Sequence, residues 1–318
     1  MTSDPHPPDA NTSIWRYIDD WKFEDMLRKY SEHSLWTDDD NKGKNIKYFN
    51  DVGQLWFSYP WTFEDDNEGT LPDINESPEE YCDHMAMSRG LTDQEAARRK
   101  QRFLAASTQT VRDCNVLMAQ LCGVSCWHRN ATISSSMWDY ATSKNGIAFK
   151  TTVGQLERAL GWAHNTPVRH AQPSVCAVGY IDYSSYFLEY DDFRSILAIV
   201  EEGWSYEDEV RMVAKSPIIL RLPLRISKPL RPSEPIPSLT DLEKQNHREL
   251  VLSKSRSEYK QLRAADERGF HLPIKLTDLI QEVAVKPNAE TTYVGEVQTL
   301  LKQNGLTNVA VKECHSGK

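Results

Sequence analysis

The amino-acid sequence predicts an α+β domain, because segments with period-two alternation of apolar residues are interspersed with segments at helical spacing. Strands are indicated at residues 14–18, 53–59 and 123–128, where aromatic and β-branched residues are frequent. Helices are indicated where acidic or hydroxyl residues precede an apolar run, as at Asp19-Asp20 and Thr152. With 318 residues, 39% of them hydrophobic, and no internal repeat, the chain is long enough to bury a sizeable core.

A single domain is predicted over residues 14–318. Residues 1–13 are polar, contain three prolines and have no apolar run, so the sequence predicts a disordered tail there. Residues from about 70 to 121 are predicted to form a helical insertion, with a helix start at Ser77-Pro78. The basic run Arg98-Arg99-Lys100-Gln101-Arg102 in this insertion is interpreted as a solvated face or as a contact for an anionic partner.

The other elements are predicted from the same patterns and follow in chain order. Further strands are expected at residues 35–36, 146–150, 174–183 and 308–311. Further helices are expected at residues 19–30, 137–142, 152–162, 187–202, 238–268 and 291–303, and residues 276–285 fit a helix or a strand. Six prolines between residues 217 and 237 predict an extended edge or crossover.

Composition and charge exclude several classes of protein. A net charge of −9 argues against broad binding to duplex nucleic acid, because that affinity comes mainly from neutralisation of phosphates by Lys and Arg. No apolar run reaches the roughly 18 residues of a membrane span, and no secretory signal is recognisable. We therefore expect a cytoplasmic protein without membrane contacts, and the six irregularly spaced cysteines are expected to be reduced.

Cys114, Cys122, Cys126 and His128 could be mistaken for a metal site, but their spacing matches no common zinc pattern. Cys126 and His128 lie two residues apart on one face of the predicted strand and form an alternative nucleophile pair, although nothing in the sequence marks the thiol as activated. Glycine-rich phosphate loops and nucleophile elbows are absent from the sequence. We therefore expect no metal, and neither a Rossmann nor a P-loop nucleotide site.

Residues 204–211 combine charged side chains with aromatic rings and lead directly into an apolar run. If the stretch is a strand, Glu207, Glu209 and Arg211 share one face. Two interpretations are open: a functional row of carboxylates beside a guanidinium, or a solvated pair of Arg211 with Glu209 worth less than about 1 kcal/mol.

Candidate cleft residues are scattered along the chain and combine aromatic rings, one arginine and two carboxylates. They are Arg16, Ser125, Trp127, Trp138, Tyr140, Glu207 and Glu209. Aromatic faces suit a flat ring, an arginine suits a pyrophosphate, and a carboxylate beside a sugar stabilises positive charge as a glycosidic bond breaks. The alternative is that the two tryptophans and the tyrosine are core packing residues.

Five motifs follow one another along the chain. They are Trp15-Arg16-Tyr17; Phe57-Ser58-Tyr59-Pro60-Trp61-Thr62-Phe63; Ser125-Cys126-Trp127 with Met137-Trp138-Asp139-Tyr140 and Gly146-Ile147-Ala148-Phe149; Trp204-Ser205-Tyr206-Glu207-Asp208-Glu209-Val210-Arg211; and Ile280-Gln281-Glu282-Val283-Ala284-Val285-Lys286-Pro287-Asn288. Together they resemble a large, mostly bacterial family of domains of unknown function, over nearly the whole chain from Ile14. Members of that family usually carry Asn-Asp-Pro where Glu64-Asp65-Asp66 stands here.

That family resembles a divergent branch of the ADP-ribosyltransferase fold. The resemblance implies a split, mostly antiparallel β-sheet core with the helical insertion and a C-terminal helical or βαβ-like extension. It also implies NAD-dependent mono-ADP-ribosyl transfer, or NAD glycohydrolysis when water is the acceptor, with NAD as the substrate. Such an activity suits a toxin, an effector or a phage-defence protein whose acceptor is a protein or a nucleic acid.

The resemblance further implies a role for each candidate residue. Cofactor binding is assigned to Arg16, Tyr17, Ser125, Trp127, Trp138 and Tyr140, with Arg16 on the diphosphate or ribose, Ser125 supporting the ribose and Tyr140 stacking on the nicotinamide. Glu209 is assigned to the oxocarbenium-like transition state, and Glu207, two positions earlier, to activation of the acceptor.

Two functions of other classes remain open from the sequence. The first is a catalytically silent recognition module of the same fold. The second is a metal-dependent hydrolase or nuclease that holds a divalent ion with Glu207, Glu209 and the Asp65-Asp66 turn, since carboxylates are suitable ligands for such ions.

Overall fold

The computed structural model describes residues 8–28, 51–76, 109–161, 173–186, 193–216 and 267–314, together with residues 94, 171, 188, 257, 259–261, 263 and 265. The strand predicted at residues 35–36, the basic run at 98–102 and the proline-rich passage at 217–237 lie outside these residues. The predicted α+β class is confirmed, because the described chain forms a mostly antiparallel sheet packed with several helices.

Eleven strands are described: β1 (Ser13–Ile18), β2 (Val52–Ser58), β3 (Cys122–Arg129), β4 (Ile147–Thr152), β5 (Ser174–Ala177), β6 (Gly179–Ile181), β7 (Ile199–Glu201), β8 (Glu209–Lys215), β9 (Gly269–Lys275), β10 (Glu282–Val285) and β11 (Ala310–Glu313). Nine of them form one sheet, in the order β11-β10-β4-β1-β3-β2-β9, with β8 paired to β3 and β5 paired to β8. All neighbours in this sheet are antiparallel except β10 and β11. Strands β6 and β7 form a separate parallel pair.

The sheet divides at β3. Strand β8 pairs with β3 from Cys122 to His128 and so occupies one whole edge of it. The other edge is shared, because β1 pairs only opposite His128 and Arg129 whereas β2 pairs only opposite Val124. Residues 125–127 of β3 therefore face a gap between β1 and β2, which we call the split.

Helices cover both faces of the sheet. They are α1 (Asp20–Leu27), α2 (Asp73–Glu76), α3 (Gln109–Gln120), α4 (Val153–Gly161), α5 (Leu276–Leu279) and α6 (Tyr293–Gln303), with 3-10 helices at Pro60–Thr62, Ser136–Tyr140, Phe193–Ala198 and Glu202–Glu207. Helix α6 buries Tyr293, Val297 and Leu301, which are spaced four residues apart and so lie on one face. It connects the parallel strands β10 and β11 as a βαβ unit.

Alternating side chains of β1 enter two different cores. Ile14 and Ile18 belong to the largest cluster, whereas Trp15 and Tyr17 pack on the opposite face with Trp138. This is the alternation that the sequence predicts for residues 14–18, and both faces of the strand are covered. The strand therefore lies inside the molecule, where its one charged side chain must find internal partners.

Two of the predicted elements are wrong. Residues 187–202 are predicted as a helix, but the described part forms the 3-10 helix Phe193–Ala198 and then β7, whose β-branched Ile199 and Val200 are buried beside β6. Residues 204–208 are predicted as strand, but Glu202–Glu207 is a 3-10 helix, and Asp208 takes the left-handed conformation with φ 42°. Glu207 therefore does not share a strand face with Glu209.

The start of the described chain is tied to the domain. The main-chain N–H of Gly154 donates to the Ala10 carbonyl at 2.8 Å, and that of Val153 donates to the Thr12 carbonyl at 3.1 Å. Residues 10–12 thus continue into β1 along the start of α4. Within the described residues, no helix is both long enough and apolar enough to cross a membrane.

Candidate active site

A cavity of about 380 Å³ occupies the split, a volume within the range of small-molecule sites. Its walls come from β1, α1, β2 and β3, and its mouth is formed by the turn before β8. Aromatic rings predominate in the walls: Trp15, Tyr17, Trp21, Trp56, Phe63, Trp127 and Tyr140. Five residues that could carry a charge also line it: Arg16, Lys22, Asp25, Glu207 and Glu209, with His128 and His271 beside them. The cavity therefore offers both stacking surfaces and charged groups.

Arg16 crosses the split. Its Nη1 donates to Ser125 Oγ at 2.8 Å, its Nη2 donates to the Trp56 carbonyl at 3.3 Å, and its guanidinium lies 5.6 Å from the centre of the Trp127 ring. No carboxylate of the described residues forms an ion pair with it. Burial lowers the pKa of Arg16 to about 10, against the opposing effect of Cys126. The cavity wall thus holds a cation that has no anionic partner in the described part of the chain.

Ser125 and Trp138, both predicted to bind a cofactor, do not line the cavity. Ser125 is fully buried and accepts hydrogen bonds from Arg16 and, at 3.2 Å, from Trp127 Nε1. Trp138 is buried with its ring 5.1 Å from that of Tyr17, in an edge-to-face arrangement. These two residues hold cavity-lining neighbours in place and have no surface for a ligand in this geometry.

Glu209 and Arg211 form a pair, but they are buried, and the expected solvated pair is wrong. Arg211 Nε donates to Glu209 Oε2 at 3.0 Å, while Nη1 and Nη2 donate to the two oxygens of Glu68 at 2.5 and 3.0 Å. Arg211 Nη1 also donates to the Leu197 carbonyl at 2.9 Å. All three charged side chains are less than 5% exposed. One guanidinium therefore serves two buried carboxylates.

The Glu209 carboxylate retains unused hydrogen-bonding capacity on its second oxygen. Burial raises the pKa of Glu209, Arg211 and a hydrogen bond from the Cys126 thiol oppose the shift, and the carboxylates of Glu68 and Glu207 add to it. Within the described part of the chain, Glu209 Oε1 is buried without a hydrogen-bond partner. The Cys126 thiol is close to this carboxylate, and its own pKa is raised well above the usual value by burial and by Glu209, so it is not an activated nucleophile.

Glu207 lies at the mouth of the cavity and contacts Tyr140. The Tyr140 hydroxyl donates to Glu207 Oε1, and Tyr140 is 42% exposed. Burial raises the pKa of Glu207, whereas this hydrogen bond and the charge of Arg211 oppose the shift. The turn is fixed to the end of β3, because the Arg129 N–H donates to the Asp208 carbonyl at 2.8 Å and Arg129 Nε to its carboxylate at 3.0 Å.

His128 lines the cavity as well, although the sequence suggests it only as a neighbour of cysteines, chiefly Cys126. Strand register places it directly opposite Trp15 on one side and Glu209 on the other. All three side chains line the cavity, and within the described ranges Trp15 Nε1, His128 Nε2 and Glu209 Oε1 are buried without partners. The sequence holds no signal for this row, because three residues far apart along the chain meet only through the pairing of β1, β3 and β8.

The opposite wall carries a second histidine. His271 on β9 lies 2.8 Å from Asp25 Oδ2 through its Nε2, and its ring lies 4.8 Å from that of Trp56. Neither His271 nor Glu68 is predicted from the sequence. The described residues include no group of three or more His, Cys, Asp or Glu side chains placed to hold a metal ion.

Comparison of the chain with protein-family models, with curated proteins and with solved structures gives no match. The proposed function rests on the geometry of the cavity and on the family resemblance of the five sequence motifs.

Proposed function

We propose that this protein is an NAD-consuming enzyme that breaks the nicotinamide N-glycosidic bond, as a mono-ADP-ribosyltransferase or an NAD glycohydrolase. The observation that carries the proposal is that opposite charges line one cavity, Arg16 from one face of the split sheet and Glu209 from the other. Arg16, which has no carboxylate partner among the described residues, lies on one side, and Glu209, with a buried free oxygen, lies on the other. NAD carries the matching groups, an anionic diphosphate and a nicotinamide ribose that becomes positive as the bond breaks.

Arg16 suits the diphosphate or ribose end of the substrate. Two of its N–H groups are used by Ser125 and Trp56, so three of the five donors of a guanidinium remain for a ligand. An anion there would also supply the charge that balances this partly buried cation. Aromatic rings, including the exposed Tyr140, provide faces for the nicotinamide or adenine ring.

Glu209 suits the reacting carbon. A carboxylate held in a buried site stabilises a developing oxocarbenium ion more strongly than one in water, because little solvent screens the charge. The bond from Arg211 fixes Oε2 and leaves Oε1 for the substrate. Glu207, nearer the surface and bonded to Tyr140, is suited to orient an acceptor that arrives from outside.

The architecture supports a likeness to the ADP-ribosyltransferase fold. The proposed site lies at a split in a mostly antiparallel sheet, with its arginine on the first strand and its glutamate on a late strand. The two strands are not adjacent, since β3 lies between them, but both residues line the same cavity. The likeness by itself implies no activity.

A silent recognition module is the second candidate, and the bonds of Arg16 favour it. An arginine that joins β1, β2 and β3 has a structural role whether or not it binds a ligand. The metal-dependent hydrolase receives no such support. Glu209 and Glu68 flank the guanidinium of Arg211, whose positive charge opposes the binding of a divalent cation between them.

Glu209→Gln tests the proposed function. The substitution keeps the size of the side chain but removes its charge, so release of nicotinamide from NAD should fall on the order of 10²-fold or more while KM changes little. The matched control is Glu313→Gln, on the exposed end of β11, which should leave the rate unchanged. Chromatography of the products measures all three proteins.

The outcomes separate the two candidates. A rate that survives in Glu209→Gln would remove this residue from the mechanism. A wild-type protein that releases no nicotinamide, with protein and nucleic-acid acceptors supplied, would leave the recognition module as the function.

A further inference from the structure

The orientation of His128 leaves its Nε2 without a hydrogen-bond donor among the described residues. Its Nδ1 forms a hydrogen bond with the main-chain oxygen of Glu207, and because a carbonyl only accepts, Nδ1 carries the proton. In the neutral ring Nε2 is then an acceptor, and no described residue donates to it. The turn before β8 therefore sets the tautomer of a histidine in the cavity wall.

A second acceptor lies beside this nitrogen. His128 on β3 is directly opposite Glu209 on β8, and side chains in such a register are neighbours at about 5 Å between their Cβ atoms. Glu209 Oε1 also has no hydrogen-bond partner in the described part of the chain. Neither acceptor has a hydrogen-bond donor among the described residues, and the Trp15 Nε1–H opposite His128 also lacks a partner, so this corner of the cavity fits a small molecule that both donates and accepts hydrogen bonds.

We propose that His128 is the general base of the reaction and that the nucleophile it deprotonates is water, which makes the protein an NAD glycohydrolase. This rests on the proposed cleavage of NAD. The C1′–N bond breaks, and its electron pair leaves with neutral nicotinamide. The water oxygen bonds to C1′ while one water proton passes to His128 Nε2 and afterwards to solvent. The products are ADP-ribose, nicotinamide and one proton.

Burial selects water over a larger acceptor. His128 is 7% exposed and Glu209 is 5% exposed, so the side chain of a protein or nucleic-acid acceptor would have to displace the cavity walls to reach Nε2. Glu207 lies at the mouth beside the exposed Tyr140 and Tyr206 and is the group such an acceptor would meet first. His128 is thus placed to activate water, whereas Glu207 is placed to activate a macromolecular acceptor.

His128→Asn is the decisive variant, because the Asn amide can still donate to the Glu207 carbonyl but has no basic lone pair. Release of free ADP-ribose should fall about 10²-fold or more, as expected for loss of a general base, with KM for NAD and the melting temperature nearly unchanged. In a second variant, His128→Ala, added imidazole should restore part of the rate. Glu313→Gln, on the exposed end of β11, should keep the wild-type rate of hydrolysis.

Each result decides between the proposals. A His128→Asn protein that hydrolyses NAD within about threefold of the wild-type rate would overturn the role of His128 while leaving NAD cleavage intact. Transfer of ADP-ribose to a macromolecule without free ADP-ribose, lost in Glu207→Gln, would overturn water as the acceptor. A wild-type protein without any NAD turnover would overturn both this inference and the proposed function.

Discussion

Arg211 governs the electrostatics of the site, because one guanidinium cannot neutralise two buried carboxylates. It holds Glu68 through two hydrogen bonds and Glu209 through one, so Glu209 is the less fully paired of the two carboxyls. Burial raises the pKa of both carboxyls in spite of Arg211. A carboxyl with a raised pKa binds its proton more tightly in the folded protein than in the unfolded chain.

Glu209→Gln should therefore change how stability depends on pH. The stabilising contribution of Glu209 is fully present below its unfolded pKa and is lost as the pH rises through its higher folded pKa. As the pH rises above about 4, the usual pKa of a glutamate, the wild-type protein should lose free energy of unfolding relative to the variant. Urea denaturation at several pH values measures this, and parallel curves for the two proteins would contradict it.

The residues of the site differ in how far sequence can predict them. Arg16 is recognisable because a charged residue between apolar strand residues is unusual, whereas Glu207 and Glu209 are recognisable from the motif at residues 204–211. The same pattern does not reveal that Glu68 supplies the second carboxylate, since it comes from a loop 143 residues before Arg211. His128 is recognisable as a site residue only from its neighbours on the adjacent strands.

At the scale of elements, α1 must approach β2 closely for the cavity wall to form. Gly53 permits this approach, because a Cβ there would lie 2.2 Å from the main-chain oxygen of Met26. Main-chain atoms cannot move aside as a flexible side chain does. The helix that carries the cavity residues Trp21 and Asp25 therefore depends on this glycine.

Gly53→Ala should push α1 away from the sheet and destabilise the protein by about 1–3 kcal/mol. Any NAD turnover should fall as well, since one cavity wall moves. Gly295→Ala is the control, because no atom lies within 4 Å of its added Cβ and its place inside α6 favours alanine by about 0.5–1 kcal/mol. Thermal melting distinguishes them, and a Gly53→Ala protein as stable as the wild type would show that the helix accommodates the methyl group.

Element prediction succeeds where local pattern and tertiary contact agree. The alternation in residues 14–18 and 123–128 matches β1 and β3, whose two faces contact different cores. It fails at residues 204–208, where the alternation resembles a strand but the left-handed Asp208 is held by Arg129. Strand β9 is missed although Phe270, Leu272 and Ile274 alternate along it, because Pro273 argues against a strand interior.

At the scale of the molecule, β3 is the strand to which both halves of the sheet attach. Its edge with β8 is continuous over seven residue pairs, whereas two pairs join it to β1 and one joins it to β2. The α+β class follows from the sequence, but this arrangement does not, since pairing partners are far apart along the chain, as Val52 in β2 and Lys275 in β9 are.

Amide hydrogen exchange should reflect this division. Amides shared by β3 and β8 should exchange slowest, near the rate of global unfolding, because they lie between the two largest cores. Amides of β1 that face β3 should exchange faster, and more so in Arg16→Gln, which removes the guanidinium that joins the strands. If both edges of β3 were equally protected, and Arg16→Gln had no effect, β1 would not separate from β3 before the edge with β8 opens.

The carboxylate of Glu209 should lower the resistance of the protein to heat, but the proposed turnover of NAD requires it. Selection for survival of heating alone would favour neutral residues at this position, whereas selection for catalysis would retain the acid. A library of variants sorted once by heating and once by NAD consumption should therefore disagree most strongly at position 209. The residues tolerated at this one buried position would then show whether the chain has been selected for catalysis or for heat resistance.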